Sequence, residues 1–567
     1  MKNKLTLILF WLCFLSFTDL PVSAQKNKIA IKDLKQLYRE LPGDAYLPNA
    51  FGNRKTAPGY RFKTPVLRLL TASTIFTNQV NVNPAGLNIF GDAANEPSLA
   101  VNPLNHNQVA IGWRQFDNVS SNFRQGGWAY TSNGGQTWTY SILEPGIFRS
   151  DPVLDYDING NFYYNSLTNS PTYLCKVFRS NNSGVTWDSG VDAAGGDKQW
   201  MAIDRSGGVG NGNIYSFWTL GFSSCSPGHF VRSATGGNSY EPCLPITGEP
   251  ALGTMAVGKN GELYIAGVGN SNDSLSIVKS VNSQTPGSSV IWNQSVNVFV
   301  DGYLNGFFGV NPAGLYGQVN VDVDRSNGPN ANNVYIMASI SRFSNFDPAD
   351  VIFVRSSDGG LTWSSPVVVN DDISTSNTQW FATMGVAPNG RIDAIWLDTR
   401  LDLSGLDYSA LFYSYSTNAG ISWSPNEQLS PMFDPHIGYP NQQKMGDYFD
   451  MESTNSGVHL AWANTLNGEQ DVYYSFIVPP VATGIEQIEV DQKLRIYPVP
   501  SDGNVIVDFA GVIKQLDVYD VLGSLKISTH PNQFSATLDL TSFESGIYFV
   551  KVTDLTGQKI TRKIIRQ

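Results

Sequence analysis

The chain has 567 residues, a formal net charge of -11, 53 glycines, 30 prolines and 12% aromatic residues. That length exceeds one ordinary domain, and so turn-rich and aromatic a composition points to an all-β protein. The acidic balance argues against a nucleic-acid or polybasic membrane binder, so an acidic ligand would need a local cluster of Arg or Lys.

Lys2 and Lys4, the apolar run Leu5 to Phe17 and the small-residue site Val22-Ser23-Ala24 read as a secretory signal peptide over residues 1–24. No later stretch is apolar enough to span a bilayer, so a soluble, exported mature protein is expected. Cys225 and Cys243 flank one expected hairpin and are placed to pair in an oxidising compartment, with Cys175 left over; three unpaired buried thiols is the other reading. Residues 25–65 form a polar N-terminal extension with helical character around Ile31 to Leu41.

Strand-like sequence begins near Val66, and a repeat of roughly fifty residues follows, the period of propeller blades. Seven strand openings recur, at Glu96-Pro97, Asp151-Pro152, Gln199-Trp200, Glu249-Pro250, Gln318-Val319, Gln379-Trp380 and Lys444-Met445. Third strands lead into an eight-residue turn, best formed at Ser356-Ser357-Asp358-Gly359-Gly360-Leu361-Thr362-Trp363. Copies begin at Thr131, Ser180 and Ser416 and end at Trp138, Trp187 and Trp423; a weaker one runs Ser233 to Tyr240. Asp or Asn can bond its own backbone there, Gly supplies positive φ, and the aromatic packs beneath. These turns resemble the Asp-box (BNR) repeat of sialidase-like β-propellers.

The expected fold is a seven-bladed β-propeller over residues 66–478, with six blades, as in sialidases, as the alternative. The seventh repeat stops after Asp471 to Phe476, so the segment Val66 to Val82 is expected to supply its outer strand and close the ring. A linker over 479–490 precedes a small β-sandwich over 491–567. Its motifs, Tyr497-Pro498-Val499-Pro500, Leu516 to Gly523, Gly546 to Lys551 and the ending Lys563-Ile564-Ile565-Arg566, resemble the type A C-terminal sorting domain of the type IX secretion system. Val499 stands where that family usually has Asn. The resemblance implies passage through the periplasm and across the outer membrane, then release or display at the cell surface, with the secretion machinery as partner.

Function is expected on the face opposite the tight turns, where long connections meet the inner-strand starts. Asp151, Glu249 and Asp398 are candidate acid, base or nucleophile groups for glycoside cleavage. Arg114, Arg149, Arg342 and Arg400 are candidates to grip an anionic sugar, and Trp218 and Trp396 to stack on one. Glu96, Lys198, Lys444 and Asp447 share that face. The other reading is that these polar groups only bond neighbouring backbone around the channel. The aromatic-rich loop Val298 to Tyr316 and the loop Pro431 to Lys444 either line a saccharide groove or cap the rim. Phe148-Arg149-Ser150-Asp151-Pro152 is similar to the Phe-Arg-Ile-Pro motif of sialidases, which implies a carboxylate-binding role for Arg149. That family also uses a Tyr nucleophile paired with Glu, for which Tyr439 and Glu249 are the candidates.

No cofactor is expected, with calcium as the alternative. Asp155-Tyr156-Asp157 and Asp322-Val323-Asp324 open like calcium loops but lack the closing Glu, and the five histidines show no ligand spacing. Three functions stand: a sialidase-like glycoside hydrolase on an extracellular glycan, a non-catalytic glycan-binding or adhesion propeller, or a polysaccharide lyase using His436 and Tyr439.

Overall fold

The computed structural model describes residue 46 and residues 55–64, 72–169, 172–269, 274–480, 494–555 and 559–567. The expected signal peptide, the helix around Ile31 to Leu41 and the strand near Val66 to Leu70 lie outside them. Contacts divide the chain into two units, Met1–Pro480 and Val481–Gln567.

Among the described residues the first unit holds, besides a two-stranded sheet of Thr56–Pro58 with Leu87–Ile89, seven antiparallel sheets in chain order around a ring. Their inner strands are Ala93–Val101, Ser150–Tyr156, Trp200–Ile203, Met255–Val257, Asn320–Val323, Gln379–Val386 and Asp450–Thr454, which we number as blades 1 to 7. Each inner strand contacts the next, and blade 7 contacts blade 1, so the ring is closed. Closure uses the N-terminal segment. Thr74–Gln79 pairs with Asp471–Val478 as the outer strand of blade 7, and Arg61–Lys63 adds a fifth strand beyond it. A closed ring leaves no inner edge free to pair with another chain.

The repeated turns show why their residues recur. Ser356 Oγ donates to Asp358 and accepts from the Gly360 N–H, while Asp358 accepts from the Thr362 N–H (2.9 Å) and hydroxyl (2.6 Å). Those hydrogen bonds hold the Asp358 carboxyl well below its ordinary value. Asn133, Asn182 and Asn418 replace the Asp with the same backbone bonds, and even the weak copy keeps them through Ser233 and Thr235. The glycine is required twice over at Gly420. Its φ is +72°, and a Cβ would lie 2.1 Å from Phe353 of the preceding blade.

Inner strands open with a bulge. The ladder skips residues between Asn95 and Ser98 and between Trp380 and Thr383, with a matching break opposite Asp151. Glu96, Asp151, Lys198, Leu252 and Phe381 take left-handed φ of 47–60° at or near this point, as does Glu249. A bulge re-aims a side chain at the cost of a paired residue. Here the bulge residues of blades 1 and 2 include Glu96 and Asp151, which meet in a buried charge cluster.

The second unit is built on the 17-residue strand Asn504–Asp520, whose register breaks between Asp508 and Ile513. Its two halves bury Val505, Val507, Leu516 and Val518 against Val550, Val552 and Ile564. Cys225 and Cys243 form a disulfide, and Cys175 is a buried free thiol that burial pushes up to about 12.

Candidate functional site

The loop-rich end of the channel is sealed over a buried charge cluster. Lys198 Nζ lies 3.1 Å from Asp151, 2.7 Å from Asp447, 3.5 Å from Asp197 and 4.0 Å from Glu96. Lys444 contacts Asp447 and lies 2.9 Å from Glu96, while Arg114 approaches Glu96 at 3.4 Å. All of these side chains are at most 1% exposed. Burial pushes Glu96 and Asp197 up to about 7 against the pull of the cations. For Asp151 and Asp447 burial acts the same way but is outweighed, by Lys198 first, and both stay well below the usual carboxylate range. The cluster thus holds two ionised and two readily protonated acids.

The cap is the long loop before blade 5. Asn311 Nδ2 donates to the Gly446 carbonyl (2.8 Å), its Oδ1 accepts from the Met445 N–H, and the Leu315 N–H donates to Asp447. Tyr448 reaches over to the Pro152 carbonyl at 2.7 Å. Segments leading into blades 5, 7 and 2 are therefore stitched together above the axis.

The other candidates sit apart. Arg149 is held by Glu144 (Nε 2.8 Å), Arg342 by Asp301 and Asp350 (2.7 and 2.9 Å), and Arg400 by Asp371 and Asp398 (2.6 and 2.8 Å). Trp396 is fully buried and donates its indole N–H to Asp398 at 2.8 Å, so these two and Arg400 form one group. Burial raises Asp398 despite Arg400. Trp218 is fully buried. Tyr439 stacks edge-on to His436 at 6.2 Å, and burial, with Asp434 and Asp407 nearby, raises its hydroxyl. Glu249 stands partly exposed ahead of blade 4. Only Asp151 and Arg114 share the axial cluster.

The opposite end of the channel, at the tight turns, is open: a cavity of about 260 Å³ is lined by the far ends of the inner strands. Its charged groups are Asp155, Arg205, Lys259, Asp322, Arg325, Asp450 and Glu452. Asp155 pairs with Arg205, whose guanidinium lies 4.1 Å over Tyr156; Asp322 pairs with Arg325 at 2.7 Å. The Tyr156 hydroxyl donates to Glu452 at 2.8 Å. Burial raises Glu452, and it pushes Asp450 up to about 7 although Ser98 and the Leu99 N–H bond that carboxylate.

Several acids here are also straps between blades. Asp155 accepts the Ile203 N–H, Asp322 the Val386 N–H and Asp450 the Leu99 N–H, each in the next blade. An inner strand has no neighbour on its channel side, so its N–H groups need such partners. Asp155 and Asp322, read as calcium-loop openings, have this role instead, and Asp157 closes its own turn by accepting the Asn159 and Asn161 N–H groups. Among the described residues no cluster of three or more His, Cys, Asp or Glu is arranged to hold a metal. Sequence reasoning passed over Arg205, Arg325, Asp450 and Glu452; the signal available was the alternating acids at strand ends, Asp155/Asp157, Asp322/Asp324 and Asp450/Glu452.

The class the fold defines is an all-β propeller followed by a small β-domain. Residues 495–567 match the secretion system C-terminal sorting domain, so the chain carries the tail that directs export through the type IX system to the cell surface or beyond. Among the described residues no helix is long and apolar enough to cross a membrane. No curated protein matches the sequence. Among solved structures, a protein of unknown function from Dyadobacter fermentans is 14% identical over 71% of this chain and 98% of its own, with a TM-score of 0.41. PorZ, a surface component of the type IX secretion system of Porphyromonas gingivalis, is 12% identical over 88% of this chain and 64% of its own, with a TM-score of 0.38. A Hadza microbial sialidase is 11% identical over 67% of this chain and 65% of its own, with a TM-score of 0.33.

Proposed function

We propose that this exported propeller binds an extracellular glycan without cleaving it. The observation that carries the reading is the state of the four arginines. A hydrolase acting on an anionic sugar needs guanidinium groups free to meet the ligand carboxylate together, whereas Arg114, Arg149, Arg342 and Arg400 each engage a protein carboxylate in its own cluster. Asp151 lies sealed beneath the cap, out of reach of a substrate. The open polar end of the channel, with Tyr156, Arg205, Arg325 and Glu452, supplies hydrogen-bonding groups suited to sugar hydroxyls. Glycan-array binding combined with a reducing-end release assay tests this; turnover of any bound glycan would overturn it.

One observation favours a hydrolase instead. Asp450 and Glu452 line the same cavity, and burial raises both, as a general acid requires. In that case Glu452→Gln would abolish release while leaving binding intact.

A further inference from the structure

A second cavity, of about 610 Å³, lies on the flank of the ring, away from the channel. One wall is residues 296–299 of the outer strand of blade 4, and the other is residues 361 and 363–366 of blade 5. Successive side chains of a strand point to opposite faces. Four consecutive residues can line one cavity only if it runs along the strand's edge, where the backbone itself is presented.

That edge is unlike the others. Blade 4's outer strand, Gln294–Phe299, is six residues long, about 20 Å. The fourth strands of blades 2, 5 and 6 have two residues each, and that of blade 1 has four. The other six-residue outer strand, Thr74–Gln79 of blade 7, is covered by Arg61–Lys63 of this same chain. The fold therefore already adds an extended segment to one long outer edge, and at blade 4 it leaves the equivalent place as a slot. Residues 361 and 363–366 form the wall that faces this edge across the slot. Phe299 and Leu361, 57% and 60% exposed, stand at the slot, with Trp363 partly buried beside them.

We infer that this slot receives one extended segment of another polypeptide, which pairs with the edge of Gln294–Phe299 and lays alternate apolar side chains against Phe299 and Leu361. Main-chain pairing would supply affinity, and the alternate side-chain contacts the selectivity. Asp301 lines one end of the slot and is 18% exposed, so a lysine or arginine of the segment at that end would add to its pairing with Arg342.

The test is fluorescence anisotropy on the full chain with two labelled heptapeptides of alternating Val and Thr, one with Lys at its first position and one with Lys at its last. At least one should bind saturably. N-methylating one alternate set of its residues should weaken binding about tenfold or more, while methylating the other set should leave it within about threefold. Phe299→Lys should weaken binding about tenfold with an unchanged melting temperature. Three results overturn the inference: no saturable binding of either peptide up to about 1 mM, equal tolerance of both methylation sets, or a neutral gluco-oligosaccharide bound in the peptide's place and lost in Phe299→Lys.

Discussion

Replacing Lys198 by Met keeps the length of the side chain and removes the cation that four carboxylates share. In the native cluster its ammonium lies 2.7 Å from Asp447 and 3.1 Å from Asp151, the two acids held ionised. Without it, Lys444 remains against Asp447 and Glu96, while Asp151 loses the ammonium at 3.1 Å. Breaking a buried pair by removing one partner costs about 3–5 kcal/mol. Unfolding entropy is about 2.1 cal/mol/K per residue, so over roughly 400 ordered residues the loss is a fall of ~4–6 °C in melting temperature. Lys444→Met should cost less, because Glu96, already pushed up to about 7, can take up a proton. The pair Lys198→Met with Asp151→Asn should lose less than the sum of the two single changes, since the second removes the stranded charge. Urea unfolding followed by tryptophan fluorescence reads all three. A Lys198→Met protein within about 1 kcal/mol of the native one would show that the cluster is solvated and the cap open.

Stability should fall as pH rises from 5 to 8. Asp450, Glu96 and Asp197 each have a folded value of about 7, above that of an unfolded carboxyl, so the folded chain holds protons the unfolded one has released; the stabilisation is complete below about pH 4 and lost as pH rises through about 7. Asp450→Asn should flatten that profile, and urea midpoints that instead climb from pH 5 to 8 would reverse the sign. Arg400→Ala strands Asp398, which is fully buried, and should cost about 1–3 kcal/mol of stability with no change in glycan affinity; a loss of affinity at constant stability would return Arg400 to the binding site. Deleting residues 486–567 should leave a folded propeller that stays within the periplasm, which fractionation with immunodetection will show; normal appearance outside the cell would contradict the sorting role of the tail.

The ring was legible because its constraints are local. A turn that needs Asp or Asn, then Gly at positive φ, then an aromatic leaves the same eight letters wherever it occurs. The missing fourth strand after Asp471–Val478 was equally plain, and Thr74–Gln79 fills it. Alignment of the inner strands was less secure. By letters Gln379 matches Glu96, but by ladder register Phe381 occupies that bulge, so the charged side of the channel faces an apolar one. The motif Val-Asn-Pro-Ala-Gly-Leu, present at 82–87 and again at 310–315, shows a similar limit. Asn83 bonds its own turn at Ala85 and Leu87, whereas Asn311 reaches over to Met445 and Gly446, and nothing in the six letters distinguishes them.

The open end of the channel was hidden for a different reason: its chemistry depends on one exchanged residue. Asp155 pairs with Arg205, and Asp322 with Arg325. By ladder register Glu452 holds the place of Asp155 and Asp322, while Asp450 holds that of Ser98 and Thr254, whose hydroxyls accept the Leu154 and Val321 N–H of the next blade as Asp450 accepts that of Leu99. At Asp450 a carboxyl stands where those blades carry a hydroxyl, and Ser98 itself donates to it at 2.5 Å. Burial pushes that carboxyl up to about 7 against the bonds from Ser98 and the Leu99 N–H. A motif search sees three acids in a row of similar turns. The ladder register makes Asp450 different, through the place it holds in its strand.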